Sequence, residues 1–228
     1  MTSRKLLDYV QTHRVLESLS FTLEPNEVFR AALFAQSEIL RQCELLDEYV
    51  TADLIANQEV YESTDAGWDF LARTVRVKSA INATAKSPLT IVDEQWVDGQ
   101  REAIVLGGTK PRPPRFLYHR LTDPISIGVW GDPDAASSVN LCIVRGHSDD
   151  DDISDSVNPI IPAGYDELLV IGTVCKLLDF RKSLSEDNKK YLGVLQAVRS
   201  DFENAKVDAK LTRSAIQNQG LRTNRLKW

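Results

Sequence analysis

His147, Ser148 and the run Asp149 to Asp152 are the side chains best suited by type to do chemistry. A histidine beside four carboxylates offers a nitrogen and several oxygens to a divalent cation, and hard cations prefer oxygen. Such a centre would activate water in a metal-dependent hydrolase. The run lacks the alternating spacing and turn glycine of a calcium loop, so a solvated acidic loop accounts for it as well. Of the other histidines, His13 falls in a predicted helix and His119 in a predicted strand. No nucleophile elbow, P-loop, dinucleotide fingerprint or HExxH pair occurs. The glycine-containing stretch VLGGTKPRPPR has Lys110, Arg112 and Arg115 for phosphate contact but no Ser or Thr after the lysine and no helix start. It reads as a loop leading into a strand. Asp47–Glu48 and Asp166–Glu167 lie at predicted helix ends, where they suit the helix dipole better than acid–base work. Cys43, Cys142 and Cys175 each sit in an apolar run and read as buried small hydrophobes. The residues therefore predict no catalytic group, no metal and no cofactor.

Composition narrows the class further. The chain has 228 residues, 43% of them apolar, a formal charge of −6 and a pI near 5.2. That is enough apolar material for a buried core, and the acidity disfavours sequence-independent nucleic-acid binding. Thr212 to Trp228 carries four cations and no acid, which leaves −10 for the remainder. An acidic body with a basic end suggests an interaction protein. The first residues, MTSRKLLDYV, lack a secretory signal's apolar region, and no run reaches the ~20 apolar residues of a membrane span. A soluble protein of the cytoplasm is expected.

Two helices open the predicted layout, one from Ser3 to about Leu19 and one from Pro25 to about Leu46. In the second, Pro25 suits the first turn, and Val28, Phe29, Ala32, Leu33, Ile39, Leu40 and Cys43 keep a helical period. The period then becomes two. Strands are predicted through Val50 to Ala56, at Val60–Tyr61, from Leu71 to Val77, and over 116–121, 125–129 and 139–144. A short helix from Asp93 to Arg101 is possible among them. The segment from Glu48 to Arg145 thus reads as a small, mostly antiparallel β unit, ended by the acidic loop.

A helix from Pro162 to about Lys182 follows, and it is apolar almost all round. A last helix, introduced by a possible capping box at Ser183 and Glu186, runs to about Leu211. Tyr191, Leu195, Val198, Phe202, Ala205 and Ala209 form its narrow seam. The expected fold is α+β: a four-helix bundle (1–47 and 158–211) with an inserted small antiparallel β unit (48–157) and an extended C-terminal tail (212–228). A bundle leaves each helix an outer face, so the apolar helix needs a further cover, either the β unit or another subunit.

This order of parts resembles the head-to-tail adaptor, or connector, proteins of tailed bacteriophages, the tail tubular protein A type. The stretch NEVFRAALFAQSEILRQCELLDEYVTADL is similar to the family's second helix feeding its first strand. ANQEVYE is similar to its polar turn ending in an aromatic. PPRFLYHRL followed by ISIGVWGDPD resembles its strand pair, and IPAGYDELLVIGTVCKLL its apolar helix with a proline, an aromatic and an acid at the start. The likeness covers about Leu23 to Arg199. The acidic loop is not part of it.

The resemblance implies a non-enzymatic virion protein, assembled in the host cytoplasm. Identical subunits, expected to be twelve, would form a ring beneath the portal ring. A tail or nozzle protein would lie below, and DNA would pass through the channel without sequence-specific binding. Lateral contact would cover the apolar helix through Leu168, Ile171, Cys175 and Leu178. The basic end would dock on the portal through Gly220, Leu221, Arg222, Arg225, Leu226, Lys227 and Trp228, with Trp228 as an apolar anchor. Another phage neck or tail-completion protein is the structural alternative.

Overall fold

A computed structural model describes residues 1–19, 22–120, 125–132, 137–148, 151–181 and 189–225; within the last helix, side chains are described over 191–215. In chain order the elements are α1 (Ser3–Gln11), α2 (Arg14–Ser18), α3 (Pro25–Cys43), β1 (Leu46–Asp53), β2 (Val60–Tyr61), a 3-10 helix (Asp69–Arg73), β3 (Thr74–Asn82), β4 (Ser87–Val92), α4 (Glu94–Val105), β5 (Phe116–Arg120), β6 (Ser126–Trp130), β7 (Ser138–Arg145), α5 (Asp166–Phe180) and α6 (Lys189–Arg225). They form two compact units. Residues Met1–Leu46 and Asp149–Trp228 make a helical unit, and Asp47–Ser148 a β unit.

In the helical unit, α3 starts at Pro25 with Glu27 in its first turn, and it closes on Glu44 in the left-handed region at φ 53°. Its buried stripe includes Val28, Ala32, Ala35, Ile39 and Cys43. Around α5 pack α1, α3 and α6. That answers why α5 is so apolar: it is the central helix of its own unit. At Gly172 a Cβ would lie 2.8 Å from the Phe202 ring and 3.1 Å from the Ala35 Cβ, so only glycine allows α3, α5 and α6 to approach this closely.

The β unit is a mixed seven-stranded sheet, curled into a half-barrel, in the order β1-β7-β3-β4-β5-β6-β2. β3 pairs antiparallel with both β4 and β7, and β6 with both β5 and β2. β4 and β5 run parallel. A parallel pair needs a crossover, and α4 supplies it. On β5 the side chains alternate between two cores. Leu117 joins Ile127, Val129 and Leu141 on one face, and Tyr118 joins Trp130 and Val97 of α4 on the other.

The expected fold is therefore corrected on three counts. The single first helix is broken, because His13 is extended and separates α1 from α2, so the helical unit is not a four-helix bundle. The sheet is neither small nor antiparallel throughout. Strand β4, at SPLTIV, is an unexpected addition, while the short helix expected from Asp93 to Arg101 is α4, the crossover. The end of the chain is not an extended tail, since α6 continues to Arg225. Among smaller differences, α5 begins at Asp166 rather than Pro162, and Leu71 and Arg73 belong to the 3-10 helix rather than a strand. The capping box at Ser183 and Glu186 lies outside the described residues.

Candidate functional site

A buried charge cluster, a half-buried one and a groove stand out. In the helical unit, Lys206 of α6 is only 3% exposed. Its ammonium donates to Glu38 Oε1 at 2.5 Å, Gln42 Oε1 at 2.8 Å and Glu203 Oε1 at 2.7 Å. Lys176 of α5 donates to the other Glu38 oxygen at 2.5 Å. Three helices meet at one carboxylate. Burial pushes the Glu38 carboxyl up, but the bonds and charges of Lys176 and Lys206 outweigh it and hold it below the usual carboxylate range.

The β unit has the converse arrangement. Glu59 accepts from Tyr118 at 2.8 Å, from Lys110 at 3.2 Å and from the Arg101 guanidinium. Arg101 also donates to the Tyr118 oxygen at 3.0 Å, and the Lys110 ammonium lies 5.0 Å from the Trp130 ring centre. Burial favours the neutral Glu59, but Tyr118, Arg101 and Lys110 win and its carboxyl sits low. Burial, then the Glu59 charge, raises the Tyr118 phenol above its ordinary value. A carboxylate with three donors and a phenol displaced further from neutrality are poor general acids and bases. This cluster ties α4, β5 and the 107–115 loop to Glu59 at the entry to β2.

The groove lies on the helical unit where α5 and α6 meet the α1–α2 corner. Two cavities of about 530 and 750 Å³ share Glu167, Ile171 and Asp201. Leu168, Val170, Ile171 and Val198 contribute apolar surface. Asp166, Glu167, Asp201 and Asp208 bring four carboxylates, against Arg14. Asp166 meets the Met1 amine at 3.3 Å. Glu167, Asp201 and Asp208 have no ion pair among the described residues. Burial pushes the His13 imidazole, also in the lining, below its ordinary value. An apolar floor with an acidic rim suits a basic, apolar segment of another chain.

Of the residues expected at a subunit interface, Leu168, Cys175 and Leu178 are buried in the helical core, while Ile171 is partly exposed at the groove. Of those expected at the portal, Gly220, Leu221, Arg222 and Arg225 fall on the helical backbone of α6, and Leu226, Lys227 and Trp228 lie outside the described residues. Asp149 and Asp150 also lie outside them, and Asp152 accepts from the Ile153 amide at 2.8 Å. Among the described residues no group of three or more His, Cys, Asp or Glu could hold a metal ion. Lys110 pairs with Glu59, and Arg112 pairs with Asp132 at 3.1 Å, so both bind their own fold's carboxylates. The groove is not among the sites expected from the sequence. Its trace was there: Asp201 and Asp208 stand seven apart, on one side of α6 beside the apolar seam. Comparison with family models gives no match, and neither does comparison with curated proteins.

Proposed function

We propose that this chain is a structural, non-enzymatic adaptor subunit of a tailed bacteriophage. It forms a ring beneath the portal, links head to tail and extends the DNA channel. The observation that carries the reading is the arrangement of the helical unit. Two segments separated by the β unit assemble around α5, and α5 is built from the IPAGYDELLVIGTVCKLL stretch that resembles the family. An acidic surface also suits a channel wall that passes DNA without gripping it. On this reading the basic end, 220–228, contacts the portal, and a tail or nozzle protein takes the opposite side. Virions are its place of residence.

The test mixes the purified chain with purified portal rings and images the product. The expected result is a second ring stacked coaxially on one end of the portal, lost when Leu221–Trp228 is deleted. Binding to tail tubes in preference to portal rings would favour a different neck or tail-completion protein.

A further inference from the structure

The acid-rimmed groove has a counterpart on the same helical unit. On α6, Val207 is 54% exposed and Leu211 is 63% exposed. They are four residues apart and so form one apolar patch, with the exposed Lys210 beside it. Ala209 is the last buried residue of α6 among its described side chains, yet the helix continues to Arg225, about 24 Å further at the α-helical rise. After Asp208 the chain carries Lys210, Arg213, Arg222, Arg225 and Lys227 and no acid. The groove is acidic, the exposed α6 face beyond it carries Lys210, and both carry apolar side chains.

We infer that the exposed face of α6 in one copy, Val207 and Leu211 with Lys210, seats in the groove of a second copy. The helix cannot serve its own groove. Asp201, Asp208 and Thr212 of the same α6 line it, and Val207 and Leu211 stand roughly 60–140° round the axis from them. A straight helix cannot turn that face back onto a groove it helps to form. Leu211 meets Val170 and Ile171 of the neighbour, and Lys210 meets Glu167 and Asp201. Lysine and carboxylates at the margin of an apolar contact match the usual anatomy of an interface. Groove and face are different patches, so the contact is heterologous, and repeated it closes into a ring or runs into a filament. Closure into a ring rests on the adaptor reading; the pairing of the two surfaces does not.

The full chain carries the test in two variants at exposed positions. One has a reversed groove, Glu167→Lys with Asp201→Lys. The other has a broken face, Leu211→Glu. Sedimentation equilibrium at high protein concentration and low salt is expected to show stepwise association of the unaltered chain, weakened by added salt because opposite charges attract across the contact. Each variant should associate at least about tenfold more weakly, a loss of ~1.4 kcal/mol, with unchanged circular dichroism. An equimolar mixture of the two should form dimers and stop there, since it retains one intact groove and one intact face. The inference is overturned if the unaltered chain stays monomeric, if either variant associates undiminished, if salt strengthens association, or if the mixture remains monomeric. If the pairing holds but portal rings are not bound, the adaptor reading alone fails.

Discussion

The helical unit and the β unit each hold one charge cluster, buried in the first and half-buried in the second, and the two are opposites. Around the Lys206 ammonium gather Glu38, Gln42 and Glu203. Around the Glu59 carboxylate gather Tyr118, Arg101 and Lys110. In both, the buried charge joins elements far apart in sequence, which a purely apolar contact would do with less geometric demand. Burying a charge is costly unless partners complete it, so each cluster selects one arrangement of its elements. The difference lies in what remains outside. The β unit engages Lys110 and Arg112 with its own carboxylates Glu59 and Asp132, whereas the helical unit leaves Glu167, Asp201 and Asp208 facing solvent along an apolar groove. In the helical unit these carboxylates rim an apolar groove, and that groove is open to a partner.

The comparison breaks most severely at Gly128. This residue pairs across the strands with Tyr118, and the tyrosine ring lies over it. A Cβ there would stand 1.9 Å from the ring's Cζ. The ring cannot swing aside freely, because it is fully buried and its hydroxyl is held by Glu59 and Arg101. Gly128→Ala is therefore expected to destabilise the β unit by about 4 kcal/mol, combining overpacking with disrupted bonds to Glu59. Trp68, Trp96 and Trp130 all belong to that unit. Denaturant unfolding followed by tryptophan fluorescence measures the loss, and a change below about 1 kcal/mol would mean that the ring has room to move.

Next in size is the helical counterpart. Lys206→Met keeps an apolar side chain of similar length but removes the ammonium, which lies 4.6 Å from the Phe202 ring centre. Glu38 is left with Lys176 alone, and the Gln42 oxygen loses its donor. Removing one member of a buried ionic group typically costs about 3 kcal/mol. Unfolding monitored at the helical circular dichroism band checks it. If the variant is as stable as the parent, the cluster selects geometry without adding stability, and methionine packs equally well.

These two sites also mark where the sequence was readable. Helix α3 was legible because Pro25, Glu27 and a clean apolar period act together, and the structure gives Pro25–Cys43 against the expected Pro25 to about Leu46. Strands β5, β6 and β7 were legible from short β-branched and aromatic runs between turn residues. β4 was missed because Ser87 and Pro88 look like a loop, and its partner β5 lies beyond a whole helix. The break comes where His13 takes an extended backbone conformation, which no periodicity shows. α6 was expected to stop near Leu211 because its apolar seam ends there, but polar residues of good helix propensity extend a helix without any seam. The groove was least legible of all. It needs α5, α6 and the α1–α2 corner together, and sequence spacing within one helix reveals only one wall.

The smallest effect, and the sharpest contrast, comes from Glu59→Gln. Glutamine retains an oxygen to accept from Tyr118 or Arg101 but loses the charge that all three donors share. A hydrogen bond to a charged group contributes more than one between neutral groups, so the expected loss at neutral pH is about 2 kcal/mol. Its pH dependence identifies the cause. The Glu59 carboxyl is held low in the folded protein, so its contribution is complete above the carboxylate's unfolded value and is lost as pH falls through the lower folded value. The variant should therefore be less stable than the parent near neutrality and converge with it in acid. The fluorescence-detected acid limb should flatten. Glu38 is also held low, by Lys176 and Lys206 against its burial, so the helical unit should keep its own acid-sensitive contribution in this variant. Fluorescence and circular dichroism recorded on the same acid titration separate the two. A constant gap between variant and parent across the whole range would show that Glu59 acts through shape and hydrogen bonding alone, and the electrostatic opposition between the two clusters would then not extend to stability.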